Sequence, residues 1–438
     1  MEKKYVAVIQ AGGKGTRMVS LTLNKIPKPM LILNGKPMLQ WQIENIAEYG
    51  ITEFVIIIGH LGGKIKDFFG SGADFGVHIS YIEEQKPLGS AGALYYLNQL
   101  YSNNDFLFVF GDVMFQLDFR RMFYFHESKR ADATLLAHPN AHPFDSDLLV
   151  LEEDGKVIGI DSKRNIRDYW YTNCVNAGIY ILSEEFVGKI SELKVTDLES
   201  DLLIPHMSNG KIYAYITTEY VKDAGTPDRF YEVCKEQASG VWNQKCLTEK
   251  QKCIFLDRDG TINKFKDLIS REEQFELEEQ VAEAIRLINQ SGYLTIVVTN
   301  QPVVARGMCD ISEVDLIHQK MQVLLGEKGA YLDDIVFCPH HPDKGYPDEN
   351  PIYKVPCNCR KPATGMIDRM VRKYNIDVTQ SYIIGDSTVD IKTGENAGLH
   401  TVLVQTGQAG VDKKYDVTAE FSATDLLSAV EKILEKRE

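Results

Sequence analysis

Short apolar runs alternate along the chain with stretches in which apolar positions return every third or fourth residue. The first pattern fits strands buried on both faces, and the second fits helices with one apolar face. The runs predict strands over Tyr5–Gln10, Phe54–Ile58, Ile79–Glu83, Phe106–Phe110 and Thr134–Ala137. Helical spacing covers Met38–Glu48 and Ser90–Leu100, and a further helix opens at Pro227. The pattern loosens over 236–251, which reads as a linker between a domain at 1–235 and one at 252–438. A fresh strand at Cys253–Leu256 then starts a second alternating series. Its strands are Leu294–Thr299, Ile335–Cys338, Tyr382–Ile384 and Thr401–Val404; its helices are Glu279–Asn289, Ile311–Leu325 and Met366–Tyr374. Such alternation predicts two α/β domains with mostly parallel sheets, because parallel strands need a crossover helix.

Length agrees with that division, since 438 residues exceed one ordinary core. Composition is that of a globular protein, 44% hydrophobic and 25% charged. No apolar run reaches membrane-spanning length, and the opening MEKKYVAVIQAGG enters a strand at once, so neither a membrane nor a signal peptide is expected. A net charge of −14 argues against a nucleic-acid partner, which needs a basic face. Eight cysteines without a secretory signal predict reduced thiols and a cytoplasmic location. A homo-oligomer is left open.

Candidate chemistry is clearest in the second half. Asp257-Arg258-Asp259-Gly260-Thr261 follows an apolar strand directly, and reactive groups of parallel sheets sit at strand carboxyl ends. Two carboxylates two residues apart can divide the work: one attacks phosphorus, the other protonates the leaving alcohol. Thr299-Asn300 ends the next strand, where polar side chains can hold phosphate oxygens. Lys361, after Arg360, offers a fixed cation. Gly385-Asp386 ends another strand, with Asp390 four residues on. These motifs in this order resemble the haloacid-dehalogenase superfamily over 252–410. The resemblance implies a Rossmannoid fold, Asp257 as nucleophile, Asp259 as acid, and Mg2+ held by Asp257, Asp386 and the Asp259 carbonyl. It departs at Pro302-Val303-Val304 and at Ser387, where relatives carry other residues.

Cys338, His340, Cys357 and Cys359 offer three thiolates and an imidazole, a set suited to tetrahedral zinc, with His341 as an alternative to His340. With all four positions filled by protein, that Zn2+ is structural. The cluster resembles the zinc loop of the heptose-bisphosphate and histidinol-phosphate phosphatases, as does Thr299-Asn300-Gln301…Arg306-Gly307, which implies that Arg306 faces substrate.

In the first half, Gly12, Gly13, Gly15, Thr16 and Arg17 form a Gly-rich loop after the opening strand, where backbone can approach phosphates. The spacing is neither a Walker loop nor a dinucleotide fingerprint. Lys28 lies between two prolines, Gly89 opens a predicted helix, Asp112 ends an apolar strand and Asp223 adds a late carboxylate. The ordered set resembles the sugar-phosphate nucleotidyltransferases, which implies a Rossmann-like domain. Carried over by motif, Asp112 and Asp223 bind Mg2+, Arg17 and Lys28 neutralise phosphates, and Gly89 lines the nucleoside pocket. Asn176 and Glu199 would hold sugar hydroxyls, and Lys163 matches the family's second lysine. The segment His138–Leu149 is similar to the heptose-1-phosphate guanylyltransferase branch. Together the resemblances imply consecutive steps on heptose phosphates with an NTP as second substrate: loss of a 7-phosphate, then nucleotidyl transfer to the 1-phosphate.

Overall fold

A computed structural model describes residues 4–435. The chain divides into two compact units. The first holds residues up to His138, Leu149–Ser162 and Val175–Cys246; the second holds Pro139–Leu148, Lys163–Cys174 and everything from Leu247 on.

The first unit is built on a sheet of β1 (Lys4–Gln10), β2 (Glu53–Ile58), β3 (His78–Glu83), β4 (Asn104–Phe110), β5 (Ala133–His138), β6 (Leu148–Leu151), β7 (Val157–Asp161), β8 (Val175–Leu182) and β9 (Ile212–Ile216). Its path runs β7-β6-β8-β4-β1-β2-β3, with β5 on β8 and β9 on β5. Strands β1 to β4 are mutually parallel in the order 3-2-1-4. The order reverses direction between β1 and β4, so a crevice opens at their carboxyl ends. Strand β8 runs antiparallel to β4 and β5 and shifts register between Asn176 and Tyr180. The centre of this sheet is fully apolar: Ala7, Ile9, Ile56, Leu107 and Val109 are all buried.

The second unit repeats the logic with β10 (Lys252–Leu256), β11 (Tyr293–Asn300), β12 (Asp334–Cys338), β13 (Tyr382–Gly385), β14 (His400–Val404) and β15 (Phe421–Ala423). All six pair in parallel in the order β12-β11-β10-β13-β14-β15. Helices Val281–Ser291, Ile311–Gly326 and Leu426–Glu435 supply one core, and Gly365–Tyr374 supplies another. Ile254 and Leu256 belong to the first core, Cys253 and Phe255 to the second. A strand covered on both faces needs this continuous apolar run.

Three expectations change. The helix expected over Ser90–Leu100 is a 3-10 segment at Gly92–Tyr96 followed by one α-turn at Leu97–Leu100. Its start is pinned: a Cβ on Gly92 would meet Lys194 O at 2.4 Å, and Thr196 N–H donates to Leu88 O at 2.9 Å. The expected linker, 236–251, is partly helical, and Trp242, Cys246, Leu247 and Gln251 within it are buried. Helix Pro227–Ala238 runs into it, and Trp242 of the helix Val241–Lys245 stacks on Tyr220 and is buried in the first unit. Finally, 139–148 and 163–174, expected in the first domain, group with the second unit.

Candidate active sites

In the second unit, Asp257 leaves β10 with its N–H donating to Ile384 O at 3.0 Å, which fixes it between β10 and β13. Lys361 Nζ lies 2.9 Å from Asp257 Oδ1 and also grips Asp390 Oδ1. Asp390 is the third residue of helix Thr388–Ala397, where it forms a capping box with Ser387. Ser387 Oγ donates to Asp390 Oδ2, so the unusual serine orients the carboxylate that holds the lysine. Pro302 O accepts from Arg306 N–H, and Val303 and Val304 are buried against Val314, which assigns that departure to a small core.

Asp257, Asp386 and Asp390 place carboxylate oxygens within 4.8 Å of one another. Burial, then the neighbouring charges of Asp390 and Asp259, pushes the Asp257 carboxyl up to about 7 despite Lys361. Burial, with Asp257 and Asp390 beside it, pushes Asp386 up to about 8, although Gln408 N–H donates to it at 2.6 Å. For Lys361 burial opposes the charge, yet Asp257 and Asp390 outweigh it and hold its pKa above the ordinary lysine value. Crowded carboxylates that resist ionisation are a set of hard oxygen donors fit for a divalent cation. Glycine makes the approach possible: Gly260 has φ +80°, and a Cβ there or on Gly407 would meet Asp386 Oδ2 at 2.2 and 2.1 Å.

Asp259 lies beside Asp257 in sequence but is turned into a separate network. Arg258 and Asn263 donate to its Oδ1, and Arg258 and Gln301 to its Oδ2. Thr299 Oγ accepts from Gln301 Nε2 at 2.9 Å, and Asn300 brackets the Lys361 backbone with two hydrogen bonds. Both residues thus position the lysine and the acid network. Arg306 stacks over Tyr346 with its Nε buried and unpartnered, whereas Arg360 donates to His340 O at 3.2 Å and braces the cysteine loop. A cavity of about 430 Å³ beside Gly307 and Asp348 touches none of Asp257, Lys361 or Asp386.

Cys338, His340, Cys357 and Cys359 converge. Their sulfurs are 3.2 to 3.6 Å apart, and His340 Nδ1 is 3.3 Å from Cys359 Sγ. Thiolates around one zinc at about 2.3 Å would be roughly 3.8 Å apart. That is close to the observed tetrahedron and far from a disulfide, so the donor set fits zinc. His341 points elsewhere, accepting from Asp343 N–H. Burial, then Arg360, holds its pKa down at about 4.

In the first unit a cavity of about 320 Å³ opens at the β1/β4 crevice, lined by Gly13, Gly15, Thr16, Arg17, Lys28 and Asp112 among others. Lys28 Nζ is 2.5 Å from Asp112 Oδ2. Asp223 faces Val113 across a two-stranded ribbon, and Ala224 N–H donates to Asp112 O, so the two carboxylate-bearing residues are neighbours. Asp223 Oδ2 pairs with Arg229, while its Oδ1 is buried without a hydrogen-bond partner. An orphaned carboxylate oxygen beside Asp112 suits a cation.

Gly89 has φ +80° and packs so closely that a Cβ would meet Thr196 O at 2.4 Å. Its carbonyl accepts from Gln10 Nε2 at 3.4 Å. Gln10 and Glu84 were not singled out in the sequence, yet each keeps a buried, unpartnered Oε1 at the Gly12 loop, where a Cβ on Gly12 would meet Glu84 Oε2 at 2.8 Å. Burial raises the Glu84 pKa. Asn176 donates to Glu199 Oε1 at 2.7 Å and to Tyr180 Oη at 2.8 Å, which brings those two candidates together. Lys163 groups with the second unit, its N–H on Asp147 Oδ1.

The family profile described as Nucleotidyl transferase matches residues 6–240, and one described as HAD-hydrolase-like matches 358–429. A D-glycero-beta-D-manno-heptose-1,7-bisphosphate 7-phosphatase from Haemophilus ducreyi is 38% identical over 161 residues, 36% of this chain and 86% of the relative. A mannose-1-phosphate guanylyltransferase from Mycobacterium tuberculosis is 30% identical over 237 residues, 54% of this chain and 65% of the relative. The structure of HddC from Yersinia pseudotuberculosis shares 27% identity and covers 53% of this chain and 99% of its own, with a TM-score of 0.47. Among the described residues, no helix is long and apolar enough to cross a membrane.

Proposed function

Because this chain belongs to the nucleotidyl transferase family over its first half and to the heptose-bisphosphate phosphatases over its second, we propose that it is a bifunctional enzyme of heptose activation. The second half removes the 7-phosphate of D-glycero-D-manno-heptose 1,7-bisphosphate. The first half transfers GMP from GTP to the resulting 1-phosphate and releases pyrophosphate. The observation that carries the reading is the presence in one chain of a complete Asp257–Lys361–Asp390 centre and a Gly-rich cavity bearing Lys28 and Asp112. The product of the first chemistry is the acceptor in the second, which gives the fusion its logic.

In the phosphatase half, Asp257 attacks phosphorus while Lys361, held by Asp390, meets the charge on the equatorial oxygens. Asp259 protonates the departing alkoxide and then takes a proton from the water that hydrolyses the aspartyl-phosphate. Mg2+ held by Asp257, Asp386 and the Asp259 carbonyl supplies charge neutralisation when bound. In the transferase half the 1-phosphate oxygen attacks the α-phosphorus, and catalysis is alignment and charge neutralisation. Gly12, Gly13, Gly15 and Thr16 let backbone reach the nucleotide, and Arg17 and Lys28 pair with phosphate oxygens. Asp112 and Asp223 would hold Mg2+, and Asn176 and Glu199 would bind sugar hydroxyls. The orphaned acceptors of Gln10 and Glu84 support guanine, which presents N–H donors to them, and the guanylyltransferase relative points the same way. Free thiols support a cytoplasmic site of action.

The direct test is to incubate the chain with the bisphosphate, GTP and Mg2+; inorganic phosphate and GDP-heptose are both expected, and the absence of both rejects the reading. Zinc makes a separate prediction. The preparation should contain one Zn2+ per chain, and Cys357→Ser should lower phosphatase activity and its unfolding midpoint by several degrees. A zinc-free, fully active preparation would remove zinc from the account.

The raised carboxyl pKa values give a pH signature. Asp257 and Asp386 sit well above the unfolded value of about 3.9. Their contribution to stability is therefore complete below about pH 4 and is lost as pH rises through about 7 to 8. Mg2+ replaces those protons, so its stabilisation grows over the same window. Millimolar Mg2+ should raise the melting temperature by a few degrees at about pH 8.5 and by less than half as much at about pH 6. A pH-independent increment would place the metal elsewhere.

A further inference from the structure

Arg258 is the largest side chain among the described residues with no solvent exposure, and no step above uses it. A buried guanidinium is retained only where acceptors surround it. Here Nη2 lies 3.0 Å from both carboxylate oxygens of Asp259 and 2.9 Å from Gln301 Oε1, and Nε is 3.2 Å from Asp259 Oδ1. Nη1 donates to His318 Nε2 at 3.3 Å. His318 is itself buried against Phe337. Burial and the arginine depress its pKa, so it stays neutral and its Nε2 serves as the acceptor. The backbone N–H of the same arginine donates to Asp257 Oδ1 at 2.7 Å. One residue therefore holds both carboxylates of the motif, the nucleophile through its main chain and the acid through its side chain. Gln301 closes the ring, accepting from Arg258 and donating to Asp259 Oδ2 at 2.8 Å.

We propose that Arg258 is a positioning residue for the general acid: its planar fork, backed by Gln301 and neutral His318, fixes the plane of the Asp259 carboxyl at the leaving oxygen. The step it serves is balanced simply. An Asp257 oxygen forms a bond to phosphorus, the bond from phosphorus to the leaving oxygen breaks with its electron pair on that oxygen, and the Asp259 proton goes to it. A lysine would keep the charge but could not hold two oxygens in one plane, because an ammonium is a point donor. The proposal rests on the phosphatase reading and predicts a loss that is larger the more the leaving group needs a proton.

The experiment compares phenyl phosphate with p-nitrophenyl phosphate, whose leaving group hardly needs protonation. In Arg258→Lys, kcat/KM should fall for both esters, and the phenyl-to-nitrophenyl ratio should fall by a further tenfold or so. Asp259→Asn should lower the ratio at least as far, and the double variant no further. Gln301→Met, read in parallel, should lower the ratio too and carries the test if Arg258→Lys does not fold. Equal losses on both esters in Arg258→Lys and Gln301→Met would make the network merely structural and overturn the proposal. A wild-type chain that hydrolyses neither ester would instead sink the phosphatase reading beneath it.

Discussion

Asp257→Asn should abolish phosphate release, by on the order of 10⁴-fold or more, while pyrophosphate release continues at the wild-type rate. The amide is close in shape to the carboxylate but cannot attack phosphorus. The substitution should not unfold the protein, because the carboxylate it replaces is held against its preference. Burial and the charges of Asp390 and Asp259 already push Asp257 toward its neutral form. Lys361 keeps its second partner, Asp390. The melting temperature of the metal-free variant at about pH 8 should therefore equal or exceed that of the wild type. Phosphate release by a coupled assay, pyrophosphate release from GTP and thermal unfolding on one preparation settle it. Parallel loss of both activities would show that the two chemistries share a site or a fold defect.

The positions of Asp257, Asp386 and Lys361 could be read from the sequence because each stands at a fold landmark. Two of them follow apolar runs that could only be central strands, and in a parallel sheet the carboxyl ends of such strands meet. The same holds for Asp112 at the end of β4. The antiparallel strand β8 was not predicted, because Asn176, Ala177 and Gly178 interrupt its apolar run at the register shift. The acid's partners were hidden for another reason. Gln301 and His318 lie 43 and 60 residues from Arg258; the crossover from β10 to β11 brings in Gln301, and the helix Ile311–Gly326 after β11 brings in His318. Ser387 read as a departure, yet the capping box it forms with Asp390 gives it a local purpose. That 139–148 and 163–174 group with the second unit was not legible either, because loop composition carries no information about which unit a loop packs on.

Asp112→Asn should reduce nucleotidyl transfer by about 10³-fold and leave phosphate release untouched. Two effects would act together. The carboxylate is one of two neighbouring groups fit to hold a cation, and its loss leaves Asp223 with one oxygen on Arg229 and one orphaned. It is also the resting partner of Lys28, whose Nζ lies 2.5 Å away. Lys28 is buried, so the substitution strands an ammonium and draws it toward the nucleotide phosphates even in the absence of metal. The variant should therefore bind GTP alone at least as tightly as the wild type while losing the benefit of Mg2+. Titration of GTP with and without Mg2+, beside turnover with heptose 1-phosphate, separates the two effects. If Asp112→Asn retains more than about a tenth of the transfer rate, the cation is held elsewhere and the carboxylate serves only to park the lysine between turnovers.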